Sequence, residues 1–480
     1  MAVDLNEVSE WAIEEFQDLN LGDARLHKRV MLVADRLARR PNESIPTAMN
    51  GWAETSAAYR LFANEKTTVA QIRQAHAEKT IDRIAQESVV LIVQDTTELD
   101  YTAKAVKNRS VGPLNWKERF GFLLHCSIAV TPEGLHLGTI DAQIWARDAA
   151  EFGKAEHRHQ RDFEEKESRR WRDAYRVARG VAEVCPKTSL INVADRESDI
   201  FEYFVEATGK RPENAHFLIR ASADRCLTEL DAEAGGTSFV KMRDRLRQTS
   251  PVGEVTIHVP KRGPRKAREA VLEIRTGRLE LKAPDNRRGR LPNVEVNVVW
   301  ATEKNPPEGE TEPIDWLLLT DLPTATLEEA LTVLGYYARR WQIEVFFRVL
   351  KSGCEVEELE FHSLEHFGPC LMLYLVVSWR ILNLMMVSRE CPDLSCEVLL
   401  TAAEWKAAWQ IRHRTKPPTA PPRLADMVRL IASFGGHLGR KCDGLPGPKS
   451  LWIGLQRVMD FALAWSTFGP DDHPDKLTCV

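Results

Sequence analysis

Tyr337-Ala338-Arg339-Arg340-Trp341-Gln342-Ile343-Glu344-Val345-Phe346-Phe347-Arg348-Val349-Leu350-Lys351 is the stretch around which the rest of the chain is read. Ile343, Phe346, Phe347 and Leu350 recur at i, i+3, i+4 and i+7, which predicts one helix with that stripe against a core. Tyr337, Arg340, Trp341, Glu344, Arg348 and Lys351 fall on a second stripe, one carboxylate among three cations and two aromatics. The ordinary meaning of such a face is a solvated surface laced with i,i+4 ion pairs. The chemical meaning is a metal-binding Glu flanked by phosphate-binding cations, and it requires two more carboxylates elsewhere.

Two runs supply them: Val89-Val90-Leu91-Ile92-Val93-Gln94-Asp95 and Leu190-Ile191-Asn192-Val193-Ala194-Asp195. A continuous apolar run predicts a strand buried on both faces, and an acid at its carboxyl end sits where α/β sheets place ligands. Each acid alone reads equally well as a helix N-cap or turn residue. Two strand-end Asp residues and a helix Glu are the oxygen donors that two hard cations need to hold a phosphodiester.

Tyr337-x2-Arg340-x3-Glu344-x6-Lys351 matches the Y-x2-R-x3-E-x6-K signature of a group of bacterial insertion-sequence transposases. Together with Asp95-Thr96-Thr97, Asp195-Arg196-Glu197-x-Asp199 and Trp316-Leu317-Leu318-Leu319-Thr320, in that order, it makes the chain resemble the transposon-five type of DDE transposase. The resemblance spans nearly the whole chain and is weakest between about residues 391 and 423. It implies an α/β fold: a ribonuclease H-like catalytic core with a β-rich insertion, flanked by helical N- and C-terminal domains. It also implies a cut-and-paste transposase in which Asp95, Asp195 and Glu344 are catalytic and hold two Mg²⁺ ions, with Mn²⁺ able to substitute. By the same resemblance Tyr337, Arg340, Lys351 and, more weakly, Arg220 hold phosphate near the transposon terminus. Arg348 keeps a cation where relatives carry another. Trp316 is either plain core or the ring against which a flipped base stacks.

A length of 480 residues suggests two or three domains. They are placed at 1–67 (helical, DNA-end-binding), 68–388 (catalytic, with the insertion at about 222–315) and 389–480 (helical, dimerising, after the Pro-rich linker at 417–422). Hydrophobic content of 43% and charged content of 28% are those of a soluble globular chain. The first residues lack a basic and then apolar run, so no signal peptide is expected and the bacterial cytoplasm, with the nucleoid when bound, is the expected location. The apolar run at 367–387 is interrupted by Arg380 and Asn383 and predicts a buried core helix rather than a membrane span. Nine cysteines without CxxC spacing fit a reducing compartment. Neither Cys391/Cys396 nor His157/His159 has a matching second pair for zinc. A formal charge of −5 argues against indiscriminate coating of DNA.

Residues 21–40 carry Arg25, Lys28, Arg29, Arg36, Arg39 and Arg40 around an apolar stripe of Leu26, Val30, Val33 and Leu37, which predicts a helix with most cations outward. A solvated face is the bland alternative. The resemblance makes this domain, with Arg60 on a second helix at 52–60, the grip on transposon-end inverted repeats. Strands at 122–130 and 135–144 around the turn at 131–134 complete an antiparallel meander with the Asp95 strand, and a helix over 155–184 returns to the Asp195 strand. Loops carrying Lys261, Arg262, Arg265, Lys266 and Arg268, then Arg287, Arg288 and Arg290, suit backbone phosphates or plain solubility. Leu451, Leu455, Val458, Met459, Ala462 and Leu463 make a stripe that either packs on its own domain or forms the contact of a homodimer. Expected partners are double-stranded end and target DNA, with no membrane. The rival readings are a nuclease of the same fold that does not join strands, and a non-catalytic DNA-binding repressor.

Overall fold

Val90, Leu91, Ile92 and Val93 are completely buried, and the strand they open, β1 (Val89–Asp100), organises the sheet. The computed structural model describes the whole chain except residues 1–2, 4, 6–7, 105–109, 117, 150–161, 231–238, 260–266, 286–289, 308–312, 441–442 and 469–480. Lys261, Arg262, Arg265, Lys266, Arg287, Arg288, His157 and His159 therefore lie outside the described residues.

β2 (Gly112–Pro113) and β4 (His136–Trp145) both pair antiparallel with β3 (Phe120–Val130), which pairs antiparallel with β1. On its other side β1 runs parallel to β5 (Ser189–Ala194), and β5 runs parallel to β6 (Ala215–Arg220). The insertion expected at about 222–315 contains β7 (Cys226–Leu230), β8 (Phe239–Lys241), β9 (Gly253–Val259), β10 (Arg268–Leu281) and β11 (Val294–Glu303); β12 (Asp315–Thr320), which follows it, pairs with both β11 and β6 so that one sheet continues. β10 is unbroken at Gly277, because β11 pairs through it without interruption.

The helices before β1 are α1 (Glu10–Phe16), α2 (Ala24–Arg39), α3 (Ile45–Ala48), α4 (Trp52–Phe62) and α5 (Val69–Ile84). α6 (Arg169–Val184) precedes β5, and it starts later than the expected helix because residues 163–165 form a separate 3₁₀ turn. α7 (Phe201–Thr208), α8 (Met242–Arg247), α9 (Leu327–Ala338), α10 (Trp341–Arg348), α11 (Leu364–Glu390), α12 (Ala402–His413), α13 (Leu424–Phe434) and α14 (Pro448–Phe468) follow. Val90 and Ile92 pack against α5 and α6, whereas Leu91 and Val93 face the core shared with α10 and α11. The pleat sends alternate residues to opposite faces, so a run with both faces covered has to be apolar throughout.

α11 is long and apolar enough to cross a membrane, yet it lies inside the core. Its polar interruptions find partners: Arg380 stacks on Trp11 at 4.5 Å, and Asn383 donates to the His136 carbonyl at 3.0 Å.

Three features of the helical part go beyond the sequence reading. The stretch at 337–351 is not one regular helix. Arg339 and Arg340 donate backward three residues, to the carbonyls of Tyr336 and Tyr337, and Val349–Gly353 is a π turn; tightening then widening the winding rotates Lys351 away from a straight stripe. The Pro-rich stretch at 417–422 lies inside one packed helical unit, because α12 before it packs on α13 and α14 after it. The stripe of α14 mostly faces its own chain: Leu451 and Val458 are buried, and Leu463 is 55% exposed. A Cβ at Gly454 would stand 1.9 Å from the Ile431 carbonyl oxygen, and one at Gly353 would stand 2.9 Å from the Trp452 ring. Contact that close seals α14 onto α13 and onto the π turn that contains Lys351.

Candidate active site

β1 does not end at Asp95. Its antiparallel pairing with β3 continues to Asp100, with Asp95 opposite Cys126, whereas its parallel pairing with β5 stops at Val93↔Val193. Asp95 thus sits just past the end of the parallel pair, and Asp195 directly follows β5 on the neighbouring strand. Asp195 also caps the 3₁₀ turn Arg196–Ser198 by accepting from the Glu197 amide at 2.8 Å. Capping and ligand roles are compatible, because the cap uses one carboxylate oxygen.

Burial, followed by the charge of Asp195, raises the Asp95 carboxyl to about 7. Arg340 partly opposes this: its Nη1 donates to Asp95 Oδ2 at 3.2 Å, and its Nη2 donates to Glu344 Oε1 at 2.7 Å. The i,i+4 spacing on the helix places Glu344 beside Arg340, and Arg340 carries it to the strand ends. Among the described residues no group of three His, Cys, Asp or Glu side chains is gathered closely enough to hold a metal as placed. A guanidinium, rather than a shared carboxylate cage, joins Asp95 to Glu344.

Tyr337 is buried, with burial raising its hydroxyl pKa and the neighbouring Arg340 and Arg220 guanidinium groups pulling it back. Arg220 Nη2 donates to the Asp315 carbonyl at 3.0 Å. Trp316 is half-buried with its ring 5.5 Å from that of Tyr337, tilted edge to face. Lys351 donates to the Glu98 carbonyl at 2.8 Å and pairs with Glu357 at 3.1 Å, so it is anchored on β1 four residues past Asp95's neighbour Gln94. Arg348 is exposed on the outer side of α10. Arg220, Trp316, Tyr337, Arg340 and Glu344 therefore meet near the two Asp residues, and Lys351 joins through β1.

The DNA-end-binding candidates lie on different elements. Arg25 and Lys28 are exposed on α2, and Arg60 is exposed on α4. Arg29 lies near Glu54 and Arg60, with burial as the main influence holding its pKa below the ordinary value. The expectation that most cations of α2 point outward needs correcting for Arg36 and Arg39. Arg36 is buried against Glu54 at 3.2 Å, and Arg39 pairs with Asp35 at 2.8 Å. They tie α2 to α4 and close the helix on itself.

Arg170 was not singled out by sequence reasoning. Its Nε donates to Thr96 Oγ1 at 2.8 Å and its Nη2 donates to Glu197 Oε2 at 2.8 Å, so one guanidinium spans the residues following both Asp95 and Asp195. Thr96 Oγ1 also meets Nδ1 of the fully buried His125 at 2.9 Å, and burial lowers His125 to about 3, leaving a neutral ring. The helix expected over 155–184 put Arg170 in its middle; only the start of α6 at Arg169 brings it to the carboxyl ends of the strands. Asp199 has a structural part: it accepts from the amides of Ser222 and Ala223 at 2.7 and 3.0 Å and from Arg225 Nε at 2.8 Å, pinning the loop that enters the insertion. Arg170→Lys is expected to lower any cleavage activity by about 10–100-fold, the usual effect of losing an orienting partner, with thermal melting nearly unchanged. Lys offers a point charge where the site uses a fork.

Two segments match models of known protein families. Residues 8–67 match "Transposase DNA-binding", and residues 376–465 match "Transposase Tn5 dimerisation domain". The second begins within α11. Among solved structures, a piggyBac transposase synaptic complex with hairpin DNA aligns with 80% of this chain and 73% of its own at 8% identity; its TM-score of 0.34 is too low to bear on the fold. The two matched segments lie on either side of the Asp95 and Asp195 strands in the sequence, and they support a DNA transposase that binds DNA through its N-terminal helices and forms homodimers.

Proposed function

We propose that the chain is a cut-and-paste DNA transposase with a ribonuclease H-like core, in which Asp95, Asp195 and Glu344 form a DDE triad. The observation that carries this reading is the placement of Asp95 just past the end of the parallel pairing of β1 with β5 and of Asp195 just after β5, with Glu344 linked to Asp95 through Arg340. The order β4–β3–β1–β5–β6, antiparallel and then parallel, supports the core assignment. The matched segments support DNA and a second copy of the chain as partners; on this reading the DNA is transposon-end and target DNA. The setting proposed is the bacterial cytoplasm.

The donor set fits divalent metal. Burial and the charge of Asp195 raise Asp95 to about 7 even with Arg340 beside it, so the carboxylate pair is short of positive charge, and hard cations bind such oxygens. Asp95 and Asp195 would hold the ions and Glu344 would complete the set, with Mg²⁺ as the working ion and Mn²⁺ able to replace it. When bound, the metals activate the attacking oxygen and stabilise the leaving one. The protein's own residues position the strand. Arg340 keeps Asp95 and Glu344 in reach of one another, Arg220 and Tyr337 present polar hydrogens beside Trp316, and Lys351 brings a cation to the far end of β1. The half-buried Trp316 ring offers a face for a base displaced from the duplex.

The deciding experiment incubates the purified chain with DNA carrying the sequences that flank its gene, in Mg²⁺ and in Mn²⁺. Transposition predicts strand cleavage at the inverted repeats and joining of the freed 3′ ends to a second duplex. Cleavage without joining selects the nuclease. Tight end binding without either reaction selects the repressor. In the same system Arg25→Gln with Lys28→Gln is expected to weaken end binding and to reduce its log–log salt slope by about 0.9 for each phosphate no longer neutralised. An unchanged slope would place the end-binding surface elsewhere.

A further inference from the structure

The chain is acidic overall, at −5, but not everywhere. Residues 402–440 hold seven Lys and Arg against two Asp and Glu. These cations do not spread around the helical unit. Arg412, Arg423, Arg429 and Arg440 line one groove of about 900 Å³ between the end of α12, the start of α13 and the loop after it, with Trp409 and His437 in its walls. Arg412, Arg414 and Lys416 are exposed and have no acidic partner among the described residues. Arg423 pairs with Asp393 and Asp426, both at 2.9 Å, and Arg440 pairs with Asp443 at 3.1 Å. All of these pairs are at the surface and weak enough to be exchanged for phosphate.

Helix stability explains only part of this patch. Cations in the last turn of α12 complement its dipole, which accounts for Arg412 and His413. It does not account for Arg423, Arg429 and Arg440, which come from α13 and the residues flanking it. Arg414 adopts a left-handed conformation at φ 57°, a position where glycine or asparagine is favoured. Past that turn the chain returns to the groove, which Pro421 and Pro422 line. The ring of Trp409 lies 4.3 Å from that of His413, giving the groove a flat aromatic wall.

We propose that this groove binds the phosphate backbone of duplex DNA, as a DNA contact separate from the N-terminal helices and from the Asp95–Asp195 site. A second copy of the chain is the competing occupant, since residues 376–465 match a dimerisation domain. A two-fold interface brings a patch against its own copy, and a basic patch facing itself would repel. Charge therefore turns the groove away from the dimer axis and toward a polyanion. In a dimer, two such grooves would offer a path for DNA beyond the segment held at each active site, either the flanking donor or the target. The proposal deepens the transposase reading, but its test uses no cleavage, so a failed DDE triad would leave the result intact.

The test measures fluorescence anisotropy of a duplex of arbitrary sequence against full-length protein, with chelator present, over a salt series. Arg412→Glu, Arg429→Glu and Arg440→Glu together are expected to reduce affinity at least tenfold at low salt and to lower the log–log salt slope by about 2–3. The neutral triple variant, with Gln at the same positions, should show a smaller loss in the same direction, and it keeps the measurement available if charge reversal impairs folding. Both are compared with Arg25→Glu/Lys28→Glu, whose losses should add to those of the groove variants. Unchanged affinity and slope in both triple variants overturn the proposal. So does a change in sedimentation behaviour without a change in DNA binding, which would give the groove to a second copy.

Discussion

Asp95→Asn is expected to abolish strand cleavage and, at pH 8, to raise the melting temperature of the metal-free protein. Both effects have one cause. The carboxyl titrates near 3.8 in an unfolded chain but at about 7 in the folded one, because it is buried beside Asp195. A folded-state pKa raised in an acid means that ionisation opposes folding. The penalty is absent below the unfolded value, grows as pH rises through the interval between the two, and is fully present above the folded value. The interval corresponds to at most about 4 kcal/mol at 1.36 kcal/mol per unit, and relaxation with retained water brings the expected gain to about 1–3 kcal/mol. The stabilisation should therefore be clear at pH 8 and shrink progressively toward pH 4. Added Mg²⁺ should raise the melting temperature of the wild type at pH 8 by selective binding to the folded state, and should do so far less for Asp95→Asn. A variant that cleaves at the wild-type rate, or that loses stability at pH 8, would remove Asp95 from the metal site. Loss of cleavage together with gained stability is the signature of a residue held for chemistry against the interest of the fold.

Deleting everything after Pro448 is expected to give an aggregated product rather than a soluble catalytic core. Leu451, Trp452 and Val458 are buried, and the π turn Val349–Gly353 leaves a place for the Trp452 ring at Gly353. Burial of three such side chains contributes about 5–8 kcal/mol, comparable with the whole net stability of a typical domain. The deletion also uncovers α11 and α13. The apolar residues left outside are Leu463, 55% exposed, and Phe468, 85% exposed, at the far end of α14. Leu463→Glu and Phe468→Glu are accordingly expected to leave a folded protein with a normal melt while shifting sedimentation from dimer to monomer. A truncated chain that is soluble and melts cooperatively would falsify the packing account. Dimers that survive both point variants would move the interface to another face of the helical unit.

The sequence alone determined the parts of this protein that depend on what each residue buries. The runs at 89–93 and 190–194 are strands buried on both faces, and Ile343, Phe346 and Leu350 face the core. The apolar stretch at 367–387 is an interior helix whose Arg380 and Asn383 have partners. Periodicity reports burial because the pleat and the helical turn have fixed repeats. It also marked Asp95, Asp195 and Glu344 as acids standing next to buried elements.

Tertiary structure decided which neighbour each element meets. Asp95 is not at a strand end, because β3 pairs along nearly all of β1 while β5 stops short, and nothing within the run at 89–95 encodes two partners of unequal reach. Arg340 spans Asp95 and Glu344, residues 245 and 4 positions away, so its i,i+4 partner was legible and its strand partner was not. Arg170 bridges Thr96 and Glu197 across 74 and 27 residues, and no local pattern distinguishes it from the arginines beside it. The stripe of α14 has the same apolar spacing whether it covers its own chain or a second copy. Only the helices that arrive from elsewhere choose between them, because the hydrophobic effect depends on apolar area removed from water and not on whose surface removes it.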